Sequence, residues 1–146
     1  MTQFDPTFGG RMKIPLIVAP MFIVSNPGMA LAACASGVMG SFSAHSARTS
    51  DMLEEWLVQM EQGLDSLENP APWGVNLVVH PTNQRLEEDL ALCIKHRVPV
   101  IFSSKGAPSD VFGKIHDYGG LIFHDVASAR HAEKAAAGGA DGLIAV

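Results

Sequence analysis

Six short apolar runs, each bounded by turn residues, set the rhythm of this chain: Leu16 to Met21, Val38 to Phe42, Gly74 to Val79, Val98 to Phe102, Leu121 to Phe123, and Gly142 to Val146. They show little polar alternation, the pattern of parallel strands covered by helices on both faces. Runs this short also fit pieces of buried helix, so the segments between them arbitrate. After the first run, Asn26 is placed to cap a helix opened by Pro27 and stopped at Gly37. After the second, Leu53, Trp56, Leu57, Met60, Leu64 and Leu67 recur at helical spacing, with Ser50 and Asp51 ahead and Glu54 and Glu55 in the first turn. Asn83 precedes a third helix carrying Leu86, Leu90, Cys93 and Ile94, with Lys95, His96 and Arg97 near its negative end. Pro108 opens a shorter helix ended by Gly119-Gly120, and a last, alanine-rich helix runs roughly from Ser128 to Ala137.

Strands alternating with helices imply right-handed crossovers and a parallel sheet, closed as a β/α (TIM) barrel or open and doubly wound. An open dinucleotide-binding sheet carries a glycine-rich phosphate turn after its first strand. Here the stretch Pro20 to Gly28 has no G-x-G-x-x-G, which disfavours that alternative. A complete barrel takes about 250 residues and eight strands. The 146 residues therefore read as one α/β domain, 1–146, truncated after about six strands.

Hydrophobic residues make up 47% of the chain and charged residues 17%, with a net charge of −5, so a core can form and no basic surface invites nucleic acid. Cys34 and Cys93 fall in helical segments and form no C-x-x-C pair, as buried reduced thiols do. Met1 to Asp5 lacks the basic and apolar regions of a signal peptide, and no apolar stretch reaches the roughly 20 residues that span a bilayer. A soluble cytoplasmic protein is the expectation.

Chemistry in parallel β/α folds gathers at the C-terminal ends of the strands. Those positions hold Ala19-Pro20-Met21, Ser43 and His45, Asn76 before His80, Ser103-Ser104-Lys105, and His124-Asp125. Asn76 is the sharpest signal, because an amide inside an apolar strand needs partners from a ligand or from neighbouring backbone. Ala19-Pro20-Met21 suits a flat aromatic ligand over a strand end, or simply a turn. Ser103 and Ser104 are placed to donate to ligand oxygens or to cap the following loop. His45, His80 and His124 raise a metal site, but no H-x-H pair on the first strand or H-E-x-x-H supports one. Neighbours on a strand point to opposite faces, so if His124 faces the barrel mouth, Asp125 does not. His96, His116 and His131 sit on helical segments and read as surface residues.

Five segments occur in the order found in nitronate monooxygenases, formerly 2-nitropropane dioxygenases, and together resemble that family over nearly the whole chain. They are Ile17-Val18-Ala19-Pro20-Met21, Gly74-Val75-Asn76-Leu77, the Val100 to Ser104 strand end, Gly120 to Val126, and Gly139 to Val146. The resemblance implies an FMN-binding β/α barrel that oxidises alkyl nitronates with molecular oxygen to a carbonyl compound and nitrite. It also implies that Ala19, Pro20 and Met21 approach the flavin ring, that Asn76 bonds to it, and that Ser103 and His124 lie around the same pocket. The family's catalytic histidine and its phosphate-holding loops would follow residue 146, so no residue here takes the role of base. A flavin-dependent enoyl-acyl-carrier-protein reductase shares the strand-end pattern, and a non-catalytic flavin-binding fragment is a third reading. An incomplete barrel would also leave a strand edge open to self-association.

Overall fold

A computed structural model of the chain describes Phe8, residues 10–106 and residues 109–146. The expectations for Met1 to Asp5 and for Pro108 concern residues outside these. Strands and helices alternate: α1 (Pro27–Ser36), β1 (Gly40–Ser43), a 3-10 turn (Ala44–Ser46), α2 (Ser50–Asp65), β2 (Trp73–Val78), α3 (Leu86–Lys95), β3 (Val100–Ser104), α4 (Ser109–His116), β4 (Leu121–Val126), α5 (Ala129–Ala137) and β5 (Gly142–Ala145). The five strands lie in one sheet in chain order, β1-β2-β3-β4-β5. Sequential parallel strands with helical crossovers make this an α/β fold, consistent with a partial β/α barrel. By compactness the chain divides into two units, Met1–Gly74 and Val75–Val146.

In the first unit, the Asn26 side chain accepts a hydrogen bond from the Met29 N–H, Pro27 opens α1, and Gly37 stops it with a φ of 86°. β1 starts at a glycine for steric reasons, since a Cβ on Gly40 would sit 2.2 Å from the Ala30 carbonyl oxygen. α1 therefore packs almost backbone to backbone on β1. The cap of α2 is Thr49, whose hydroxyl accepts from Met52 N–H, so Ser50 and Asp51 belong to the helix itself. Leu53, Leu57 and Met60 are buried on its inner face, while Trp56 meets Phe42 edge to face at 5.4 Å.

The expected first strand, Leu16 to Met21, is absent as a strand. Only one parallel bridge, Ile17 to Met39, survives. Pro15 and Pro20 flank the paired residues and have no N–H to extend the ladder, and the chain turns at once, with Met21 N–H donating to the Ala19 carbonyl.

In the second unit, β3 and β4 pair in parallel, Phe102 with Phe123 and Ser103 with His124, and β4 pairs with β5, Phe123 with Gly142 and Asp125 with Ile144. β3 is buried along its whole length. β4 alternates instead: Ile122, His124 and Val126 are buried, whereas Leu121, Phe123 and Asp125 are half-buried. The expectation of strands covered on both faces therefore fails for β4. The same alternation runs through β2, where Val75 and Leu77 are buried and Asn76 and Val78 are half-buried. α5 begins at the Ser128 cap, whose hydroxyl accepts from His131 N–H. No helix among the described residues is long and apolar enough to cross a membrane.

Candidate functional site

In the first unit, the strand-end segment is built around a serine that sequence reading passed over. Ser25 is fully buried; its hydroxyl accepts from Met21 N–H at 2.8 Å and donates to the Ala19 carbonyl at 3.1 Å. Its own N–H donates to the Met21 carbonyl at 2.9 Å, so one side chain and one amide fix the Ala19-Pro20-Met21 turn. The Ser41 hydroxyl donates to the Val18 carbonyl just upstream. What this clamp presents is apolar and wet: Met21, Phe22, Ile23 and Val24 are all exposed, Ile23 to 79%. Ile23 also holds a φ of 71°, rare for a β-branched residue.

In the second unit, the two faces of the sheet carry different chemistry. One face is covered by helices. There the His124 Nδ1 lies 2.7 Å from the Ser103 hydroxyl, and the imidazole packs 5.9 Å from the Phe112 ring of α4. Ser103 is fully buried and His124 nearly so. Burial pulls the His124 pKa down, against opposing pulls from Asp125 and from the backbone at Gly106 and Ser103. The neutral ring thus ties β4 to β3 beneath the helices.

The opposite, half-buried face carries Asn76, Ser104 and Asp125. The Asn76 amide nitrogen donates to the Phe102 carbonyl at 2.9 Å and to the Ser104 hydroxyl oxygen at 3.2 Å. Structural bonding across the sheet is therefore present at Asn76, whichever ligand also meets it. Continuing the register one residue beyond Ser103 and His124 places Ser104 beside Asp125. Below them the Phe102 and Phe123 rings meet edge to face at 6.1 Å, and the Phe123 ring lies over Gly142, where a Cβ would come within 2.9 Å. Burial raises the Asp125 pKa above the ordinary carboxylate value, with His124 opposing it.

The structure thus brings together Asn76, Ser104 and Asp125 on one face, and Ser103 with His124 on the other. Both serines bond across the sheet rather than capping the following loop. His45 sits in the 3-10 turn after β1, and the exposed His80 ring bonds to Thr82 at 2.8 Å. His116 and His131 are exposed, while His96 is half-buried at the end of α3. Among the described residues no group of three or more His, Cys, Asp or Glu side chains is arranged to hold a metal. Cys34 and Cys93 are buried free thiols whose pKa values burial raises, so neither supplies a thiolate nucleophile.

Solved structures share this fold. FabK from Thermotoga maritima superposes with a TM-score of 0.83 at 24% identity, covering 96% of this chain and 42% of its own. A nitroalkane oxidase from Streptomyces ansochromogenes matches with a TM-score of 0.81 at 22% identity, covering 95% of this chain and 48% of its own. This is the fold of FabK and of a nitroalkane oxidase. The chain spans less than half the length of either. No protein-family model matches the sequence, and comparison with curated proteins returns no match.

The half-buried face fits a planar heteroaromatic group. It offers an amide, a hydroxyl and a carboxyl in one row across three strand ends, with aromatic rings below. Of the residues that the resemblance assigns to the flavin, only Asn76 belongs to this row. Ser104 and Asp125, named among the strand-end residues, each neighbour an assigned residue by one position, the step that changes face.

Proposed function

We propose that this chain belongs to a flavin-dependent oxidoreductase that binds FMN and oxidises alkyl nitronates with molecular oxygen to a carbonyl compound and nitrite. The observation that carries the proposal is the Asn76-Ser104-Asp125 row, in a fold shared with a nitroalkane oxidase and in a sequence with that family's motif order. When bound, FMN supplies the electron transfer between nitronate and oxygen. The chain's own residues supply position. Asn76 and Ser104 hold one edge of the ring site, and Ser103 and His124 lock the β3 and β4 ends from behind. In the first unit, the Ser25 clamp fixes Ala19, Pro20 and Met21 in the turn assigned to flavin contact, and Met21 and Phe22 offer apolar surface to an alkyl substrate.

The likeness to FabK favours a second reading, a flavin-dependent enoyl-acyl-carrier-protein reductase taking electrons from a nicotinamide. One experiment separates the two. The chain and a longer version are purified, bound flavin is read from its visible absorbance, and nitrite release from propane-2-nitronate in air is compared with anaerobic flavin bleaching by a nicotinamide. Nitrite without nicotinamide bleaching is the expected result for the longer protein. Bleaching without nitrite transfers the assignment to the reductase; no flavin in either protein ends both.

A further inference from the structure

We infer that Asp125 is a cofactor-recognition residue: with Ser104 as donor and its own carboxylate as acceptor, it reads the imide edge of a flavin ring. The inference rests on the flavin reading above and deepens it. Three observations place the carboxylate for this task. The pairing of Ser103 with His124 puts Ser104 and Asp125 next to each other at the C-terminal ends of β3 and β4. His124 is turned to the helix-covered face, against Phe112, so its neighbour Asp125 points to the half-buried face that also holds Asn76 and Phe123. Asp125 is half-buried there and has no hydrogen-bond partner among the described residues.

A carboxylate half out of water with no protein group bonded to it forfeits part of its hydration without a partner in return. Burial raises its pKa, the electrostatic trace of that loss. Ser104 has the complementary surplus. Its oxygen already accepts from the Asn76 amide, leaving its own proton to donate. A donor and an acceptor side by side above an aromatic floor match a flat ring that shows an N–H between two carbonyls. The pyrimidine end of an isoalloxazine has that edge: N3–H to Asp125, a flanking carbonyl oxygen from Ser104. An aliphatic nitronate has oxygen acceptors only and would leave the carboxylate facing like charge.

The test uses the 146-residue chain, with lumiflavin and 3-methyllumiflavin as probes; the second lacks the N3–H. Binding is followed by flavin fluorescence, and the fold of each ligand-free protein by thermal melting. The wild-type chain is expected to prefer lumiflavin by roughly tenfold to a hundredfold, the effect of one hydrogen bond to a charged group. Asp125→Ala, which leaves no acceptor, is expected to lose most of that preference while melting no lower without ligand, because a partly desolvated charge is gone. Equal binding of the two probes by the wild-type chain overturns the inference while leaving the flavin reading intact, as does an Asp125→Ala protein that keeps the preference. Failure of the wild-type chain to bind either probe overturns the flavin reading itself, and the inference with it. The wild-type comparison decides the matter even if the variant misfolds.

Discussion

The two strand-end regions of this molecule are built on opposite principles. In the first unit, segment 16–25 exposes its apolar side chains and hides a single serine; in the second, β3 and β4 hide polar side chains between sheet and helices. One region is a wet apolar tip held by Ser25, the other a dry polar lock held by Ser103 and His124. The contrast shows where rigidity and contact surface are separated. A buried hydrogen-bonded pair can be worth more than its exposed equivalent, and it fails more sharply when one partner is removed. An exposed apolar tip adds little to stability, so its residues are free to serve contact.

The largest difference between the regions is expected from truncation. His124→Ala removes a buried ring from beside Phe112 and leaves the Ser103 hydroxyl without its 2.7 Å partner. We expect a loss of about 2–4 kcal/mol, measured by urea denaturation. Phe22→Ala, at 63% exposure, is expected to change stability by no more than about 0.5 kcal/mol. Similar losses for the two variants would erase the distinction between lock and tip.

Acidification probes the same lock. Folding lowers the His124 pKa, chiefly through burial, so the unfolded chain takes up this proton first as pH falls. The contribution of His124 is fully present above its unfolded pKa of about 6.5 and is lost as pH falls through its folded value. Denaturation midpoints at pH 7.5 and pH 5.5 should therefore diverge more for the wild type than for His124→Gln. Equal pH dependence in the two proteins would remove His124 as the titrating group.

The parts of the fold carried by local chemistry were legible in the sequence. Asn26, Pro27 and Gly37 mark α1 because capping and φ preferences act within a few residues, and Ser128 marks α5 for the same reason. Thr49 was missed because Ser50 and Asp51 are equally good cap residues one and two steps later. Apolar periodicity located five strands, but at Leu16 to Met21 it does not register the donors that Pro15 and Pro20 lack. The candidate site depended on a sign that a period of two leaves open. Alternation says that His124 and Asp125 face opposite ways; only the packing of α4 against β4 says which one meets the helices. The resemblance assigns His124 to the ligand pocket; its ring packs beside Phe112 of α4, and its neighbour Asp125 is half-buried.

On the tip, Ser25→Ala is expected to cost about 1–2 kcal/mol, since the Met21 N–H and the Ala19 carbonyl lose their side-chain partner together. Faster hydrogen exchange at Met21, with exchange in β3 and β4 unchanged, would place the effect in the clamp. Faster exchange at both would show that the regions unfold as one.

The smallest effect has the opposite sign, which makes it the sharpest check on what the tip is for. Ile23 is exposed, so packing does not compensate for its φ of 71°. A left-handed conformation costs a side chain with a Cβ about 1–2 kcal/mol, while glycine there loses about 0.5–1 kcal/mol through greater freedom in the unfolded chain. Ile23→Gly should therefore stabilise the ligand-free protein by about 0.5–1 kcal/mol. If the strained tip serves contact with an alkyl substrate, the same variant should weaken nitronate binding while it raises the melting temperature. A variant that gains stability and keeps full nitronate affinity would reduce Ile23 to strain without contact, leaving Met21 and Phe22 to meet the substrate.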